Sequence, residues 1–325
     1  MKAVKRLSTF TLSLLILAVP IAIYAQRQAI FDWARLRNYN PPAAIAQLAS
    51  DDTMTSKARH MFYVNHTSLV AKAADFRKSC PVSEQTIVLG CYQPIQNGIY
   101  IYDVADTRLN GVHEVTAAHE MLHAAYDRLS SKDKNYVNGL LQSYYDTQTD
   151  QRITDTVNAY KKSEPNDVVN EMHSVFGTEI ADLPAPLENY YNQYFSNRAA
   201  VVSFSASYEG EFTNRLAKIT SYDQQLAAMK QSIDSQEADL KNLLNQIESD
   251  RARLDRLKSS GDFAAYNAAV PGFNTEITAY NSGVTRLKND IDSFNELVQT
   301  RNSLAAELRS LDSAIDTRLT PQAAQ

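Results

Sequence analysis

A seven-residue apolar repeat governs the last third of this chain. Ile219, Leu226, Ile233, Leu240, Ile247 and Leu254 occupy one seam position, and Tyr222, Met229, Leu243 and Leu257 occupy the second, three residues on. A stripe of that period is too narrow for a globular core and is buried by pairing with another helix. Ser259-Ser260-Gly261 and Val270-Pro271-Gly272 bound a break, since Gly and Pro both interrupt helix propagation. The repeat resumes through Ile277, Val284, Ile291 and Val298, with Tyr280, Leu287, Phe294, Leu308 and Ile315 at the companion position. Residues 209–319 are therefore expected to form two long helices folded back as an antiparallel coiled-coil hairpin, roughly 60 to 70 Å long. Gln236, Asp250, Arg301 and Asp312 place polar groups in the seam, where they can fix register. Such a rod suits a protein partner or self-association, and 320–325 is left as a tail.

Chemistry has to come from the residues before the rod. Val112 to Leu129 reads VHEVTAAHEMLHAAYDRL, with Val115, Ala118, Leu122, Ala125 and Leu129 forming a core stripe at helical spacing. His119 and His123, four residues apart, lie on one face about a turn apart, which suits two imidazoles sharing a tetrahedral zinc ion. Glu120 sits roughly 100° round from His119, close enough to act as general base toward water at the metal without being a ligand. This is the HExxH arrangement of zinc metallopeptidases. His113 reads as a helix-start residue, and His60 and His66 as ordinary half-buried or surface histidines, because neither has a partner at metal spacing.

A third protein ligand is required. The metzincin continuation needs Gly at position 126 and His at position 129, where this chain has Tyr126 and Leu129. Glu171 is the leading candidate, inside the polar cluster Asn170-Glu171-Met172-His173-Ser174, with Glu179 and His173 as rivals. Two stretches then resemble one family. His119-Glu120-Met121-Leu122-His123-Ala124-Ala125-Tyr126-Asp127 is similar to the HExxHAxxD helix of the gluzincins, the thermolysin-like clan, and Asn170 to Ser174 is similar to their NExxS helix. The resemblance implies one catalytic zinc ion held by His119, His123 and Glu171, with Glu120 as general base. It also implies Asn170 as a group orienting a ligand His, with Asp127 as a further supporting residue. The Asp that usually follows the Ser and steadies the other His is replaced by Val175.

Peptide hydrolysis through a tetrahedral intermediate also needs an oxyanion donor. Leu187 to Arg198 offers Tyr190, Tyr191, Tyr194 and Arg198, although rings at that spacing more often pack a helix against its neighbours.

Lys2, Lys5 and Arg6 precede an uncharged run from Leu7 to Ala25, which fits a signal peptide or a short membrane anchor. An uncleaved anchor is the preferred reading, and either one places the bulk of the chain outside the cytoplasm. Cys80 and Cys91 are the only cysteines. In an oxidising compartment that pair is expected to form a disulfide. The net charge of -5, with no long Lys/Arg block, argues against a nucleic-acid partner.

Between the anchor and the motif helix, Ala43 to Ala49 and Thr55 to Val64 read as short helices and Ser68 to Lys78 as another. Thr86 to Leu89 and Ile99 to Val104 read as strands, with Asn97-Gly98 as a hairpin cue between them. A strand just before the HExxH helix is the layout in which an edge strand pairs with an extended peptide substrate. The expected fold class is α+β: a mostly helical zincin-like domain with a small sheet, followed by the coiled coil. The expected segments are an anchor at 1–25, a membrane-proximal linker with a short helix at 26–54, a peptidase domain at 55–208, the hairpin and the tail. The expected function is zinc-dependent peptide-bond hydrolysis on a peptide or protein substrate. The alternative is a non-catalytic cell-envelope scaffold with a peptidase-like zinc domain.

Overall fold

The computed structural model describes residues 23–81, 87–96, 98–163 and 165–318. The uncharged run therefore lies almost wholly outside the described residues. No helix among the described residues is long and apolar enough to cross a membrane. The described residues divide into two compact units, one within 23–210 together with 314–318 and one of residues 211–313.

The first unit is a helical α+β body. Its elements in order are α1 (Arg27–Leu36), α2 (Ala43–Asp51), α3 (Ser56–Val64), β1 (Ser68–Val70), α4 (Ala73–Ser79), β2 (Gly90–Gln93), β3 (Gly98–Tyr102), α5 (Val112–Asp127), α6 (Ser131–Tyr145), α7 (Gln151–Ser163), α8 (Val168–Glu179) and α9 (Ala185–Tyr191). The start of α10 (Arg198–Ser259) follows. The main core is an apolar cluster to which α2, α3, β3, α5, α6, α7, α8 and α9 all contribute, with Phe62, Met121, Leu122, Phe176, Tyr191 and Phe195 among its fully buried members. Residues 26–54 are thus no separate linker. Ile45, Leu48 and Ala49 of α2 sit in that core, and Asp32 of α1 is buried under Arg128 at the C-terminal cap of α5.

The sheet has strand order β1-β3-β2, with β1 parallel to β3 and β2 antiparallel to it. Two expectations are corrected here. Ser68 to Lys78 is not one helix: Ser68–Val70 pairs with Tyr100–Tyr102 as a strand, and the helix starts only at Ala73. The hairpin strand is Gly90–Gln93 rather than Thr86 to Leu89, since Gly90 pairs with Ile101 and Gln93 with Gly98. Thr86 and Asn97 lie outside the described residues. Cys80 and Cys91 form a disulfide, with Cα atoms 5.8 Å apart, that ties the end of α4 to β2. The segment leading into β2 is held from the other end of the chain. Thr317 donates its hydroxyl to the Val88 carbonyl at 2.9 Å, and Arg77 donates to the Thr317 carbonyl.

The second unit is the helix pair made by the remainder of α10 and by α11 (Phe263–Ile315), joined at Ser260-Gly261-Asp262, where Gly261 takes φ +79°. Arg215 reaches Glu307, Asp223 meets Arg301 at 2.9 Å and Gln236 donates to Asp290 at 2.6 Å. Those partners descend one helix as they climb the other, so the pair is antiparallel. Polar groups at Gln236 and Arg301 are therefore paired across the helices, a geometry that fixes register. Val270-Pro271-Gly272 is not a second break. Pro271 lies inside α11 and is solvent-exposed. The carbonyl of Asn267, which loses its bond to the missing amide, also belongs to an exposed residue, so water can satisfy it.

Candidate metal centre

α5 and α8 are built to approach closely. A side chain at Gly177 of α8 would come within 2.5 Å of Leu122 and 2.8 Å of Tyr191, so only glycine allows that contact. One turn and a half back along α8, Glu171 enters the face of α5 that carries the histidines. Its carboxylate lies between the two rings, with Oε2 3.7 Å from His119 Nε2 and Oε1 3.5 Å from His123 Nε2. The rings belong to successive turns of one helix and stand 4.8 Å apart, tilted by 71°. One ligand atom from each of the three residues falls within 4.8 Å of the others. Glu171 is buried, which alone would raise its carboxyl pKa. Hydrogen bonding to His119, the charge of His123 and a bond from Tyr160 outweigh burial and hold it below the ordinary value.

Two imidazoles and one carboxylate, converging and mostly buried, can hold a metal ion. The three residues open onto a cavity of about 540 Å³ lined also by Glu120, Tyr160, Tyr208 and the whole of β2. Glu120 is 6% exposed and lies against the strand. A methyl group at Gly90 would sit 2.8 Å from Glu120 Oε1 and 2.5 Å from Thr116. Only glycine lets the edge strand press this closely on the motif helix.

The rivals for third ligand are placed elsewhere. His173 faces the opposite side of α8, fully buried among Tyr126, Tyr190, Tyr191 and Tyr194. Its Nε2 is 2.9 Å from the Tyr190 hydroxyl, and burial pushes its pKa down to about 3. Glu179 reaches the cavity rim but pairs with Arg152 at 2.9 Å.

The expected oxyanion donors are corrected by the same packing. Tyr190, Tyr191 and Tyr194 surround His173, and Tyr191 donates to the His173 carbonyl at 2.7 Å. Arg198 is buried against Glu188 and the carbonyls of Phe176, Ile180 and Ala181. None of the four lines the cavity. The tyrosines that do are Tyr92, Tyr160 and Tyr208. Tyr160 was readable only as the last member of the Ile153, Val157, Tyr160 face of α7. Nothing in the sequence aims its hydroxyl at Glu171.

Of the supporting residues, Asn170 lines the cavity and donates to Asp167 at 3.2 Å, while its Oδ1 is buried with no hydrogen-bond partner. Asp127 accepts from Tyr92 at 3.2 Å, and that burial and that carboxylate push the Tyr92 phenol up to about 12. Val175 packs into the core. His113 accepts a hydrogen bond from the Val104 amide at 2.9 Å beside the helix start. His60 pairs with Asp32, and His66 stacks on Tyr39.

Comparison of the chain with protein-family models, with curated proteins and with solved structures found no match.

Proposed function

We propose that this chain is a zinc-dependent metallopeptidase of gluzincin type, extracytoplasmic and anchored by its N-terminal segment. One observation carries the reading: Glu120 and the three candidate ligands share one cavity wall, facing a strand that pairs on only one side among the described residues. A metal held only for structure has no use for a buried carboxylate one residue from a ligand and outside the ligand set. His119, His123 and Glu171 would hold the ion, and zinc fits two neutral imidazoles and a carboxylate better than the oxygen-seeking divalent cations. When bound, such an ion polarises a carbonyl and lowers the pKa of water beside it to about 7.

The chain's own residues supply the rest. Glu120 accepts a proton from the attacking water and returns it to the leaving amine. β2 offers backbone groups from Gly90 to Gln93 for an extended peptide to pair with, which fixes the scissile bond along the cavity. Tyr160 lines the cavity with Glu171, and its hydroxyl favours the charged form of that carboxylate.

The test is to incubate peptide and protein libraries with the zinc-loaded parent and with Glu120→Gln, and compare the cleavage products. Products made only by the parent are expected. Zinc-loaded protein that cleaves nothing, with Glu120→Gln behaving identically, would leave the scaffold reading in its place.

A further inference from the structure

α1 carries an outward strip that the core of its unit does not use. At about 100° per residue, Arg27, Ile30 and Ala34 fall roughly opposite Asp32, with Phe31 and Trp33 on the flanks. Asp32 is the only acidic residue of α1, and it points into the body. It accepts two bonds from Arg128, at 2.8 and 3.1 Å, and contacts His60 and Gln28. Burial would raise its carboxyl pKa, but Arg128 and His60 hold it below the ordinary value. The outward face thus shows cations and rings without an exposed acid. Trp33, the only tryptophan in the chain, is 63% exposed, and Ile30 is 47% exposed. Ile23 and Tyr24 are exposed just upstream. The Arg37 guanidinium lies 5.3 Å from the Trp33 ring centre, and that of Arg27 lies 4.3 Å from the Tyr24 ring centre.

Exposed apolar surface of this kind marks a binding face. Its chemistry selects the occupant. Trp and Tyr favour the headgroup layer, where a ring is half in hydrocarbon and half in water. Arginines beside them attract anionic lipid. The uncharged run Leu7 to Ala25 ends where the strip begins, so the chain enters α1 directly from its most apolar segment.

We propose that α1 lies in the headgroup layer of an anionic bilayer. Ile30, Phe31 and Trp33 enter the acyl boundary, and Arg27 and Arg37 meet phosphates. The Asp32–Arg128 pair then bolts the metal-site helix α5 to the membrane surface, which sets how the cavity is presented to substrate. This inference leans on the proposed membrane anchoring and is independent of catalysis.

The test uses the full chain in vesicles of phosphatidylcholine, with or without phosphatidylglycerol, carrying bromine at shallow or deep acyl positions. Trp33 is the sole indole emitter, and flotation reports separately whether the chain is on the vesicle. With anionic lipid, Trp33 emission should move to the blue and lose roughly half its intensity to bromines placed about 5–10 Å deep, and less to deeper ones. Ile30→Ser combined with Arg37→Gln, both outside the core, should remove most of that quenching while circular dichroism stays unchanged. Vesicles that float the chain but leave Trp33 unquenched overturn the role of α1 and leave anchoring intact. A blue shift that persists in detergent without lipid, or that grows with protein concentration, overturns it in favour of the upstream run or a second copy covering the strip.

Discussion

Glu171 and His173 stand two residues apart on α8 and serve opposite sides of it, the carboxylate between His119 and His123 and the imidazole against the Tyr190 hydroxyl. Two residues on a helix are about 200° apart, so one helix supplies the candidate ligand and the core pin at once. Glu171→Gln should lower zinc affinity by more than the roughly 10- to 100-fold of an outer-shell change. His173→Gln should keep zinc but lose about 1–3 kcal/mol of stability, because it leaves the Tyr190 hydroxyl poorly partnered in the core. Glu179→Gln should do neither. Metal content after dialysis and thermal unfolding separate the three, and zinc retained by Glu171→Gln but lost from Glu179→Gln would transfer the ligand role.

Tyr160→Phe isolates the hydroxyl that helps hold the Glu171 carboxyl below its ordinary pKa. Burial and the neighbouring Glu171 charge raise the phenol's pKa, so it is a donor throughout the working pH range. Its loss should weaken zinc binding by about tenfold. Competition with a chelator measures the effect, and an unchanged affinity would mean that the two imidazoles alone hold Glu171 in place.

What the sequence made legible were patterns of fixed spacing, together with Glu171, which its motif-like setting singled out far from the histidines. The spacing of His119 and His123, the heptads from Ile219 onward and the single cysteine pair are local patterns with one physical meaning each. What stayed hidden was set by distant partners. Ser68–Val70 is only three residues long and becomes a strand because Tyr100–Tyr102 is there to pair with it. Tyr190 and Tyr194 resemble site residues by type, yet they are drawn inward by His173. Pro271 signals a break, but the helix continues because its freed carbonyl belongs to an exposed residue.

The Cys80–Cys91 disulfide anchors the cavity's edge strand and supplies none of the candidate ligands. Replacing both cysteines by serine should cost roughly 3 kcal/mol, the chain-entropy value for a loop of this length. Zinc affinity should change little, since α5 and α8 carry all three candidate ligands. Urea unfolding and zinc titration of the double variant check both halves, and a large loss of zinc affinity would show that β2 holds the metal site together.

Asp52 sets a pH dependence of opposite sign to most carboxylates. It is fully buried at the end of α2, and neither carboxylate oxygen has a hydrogen-bond partner. Burial, then the charges of Glu114 and Asp51, raise its pKa well above the usual carboxylate value. Below about pH 4 the group is protonated both folded and unfolded, and its contribution is fully present. As pH rises the unfolded chain ionises first, so stability is lost progressively up to the folded-state pKa. Asp52→Asn removes that titration. Its stability should match the parent near pH 4 and exceed it at pH 7 by on the order of 1–3 kcal/mol. Taking the difference between the two proteins cancels Asp32 and Glu171, whose lowered pKa values push the other way. Urea unfolding of both proteins from pH 4 to pH 8 measures it, and a difference that stays flat with pH would mean that the Asp52 carboxylate is satisfied in solution.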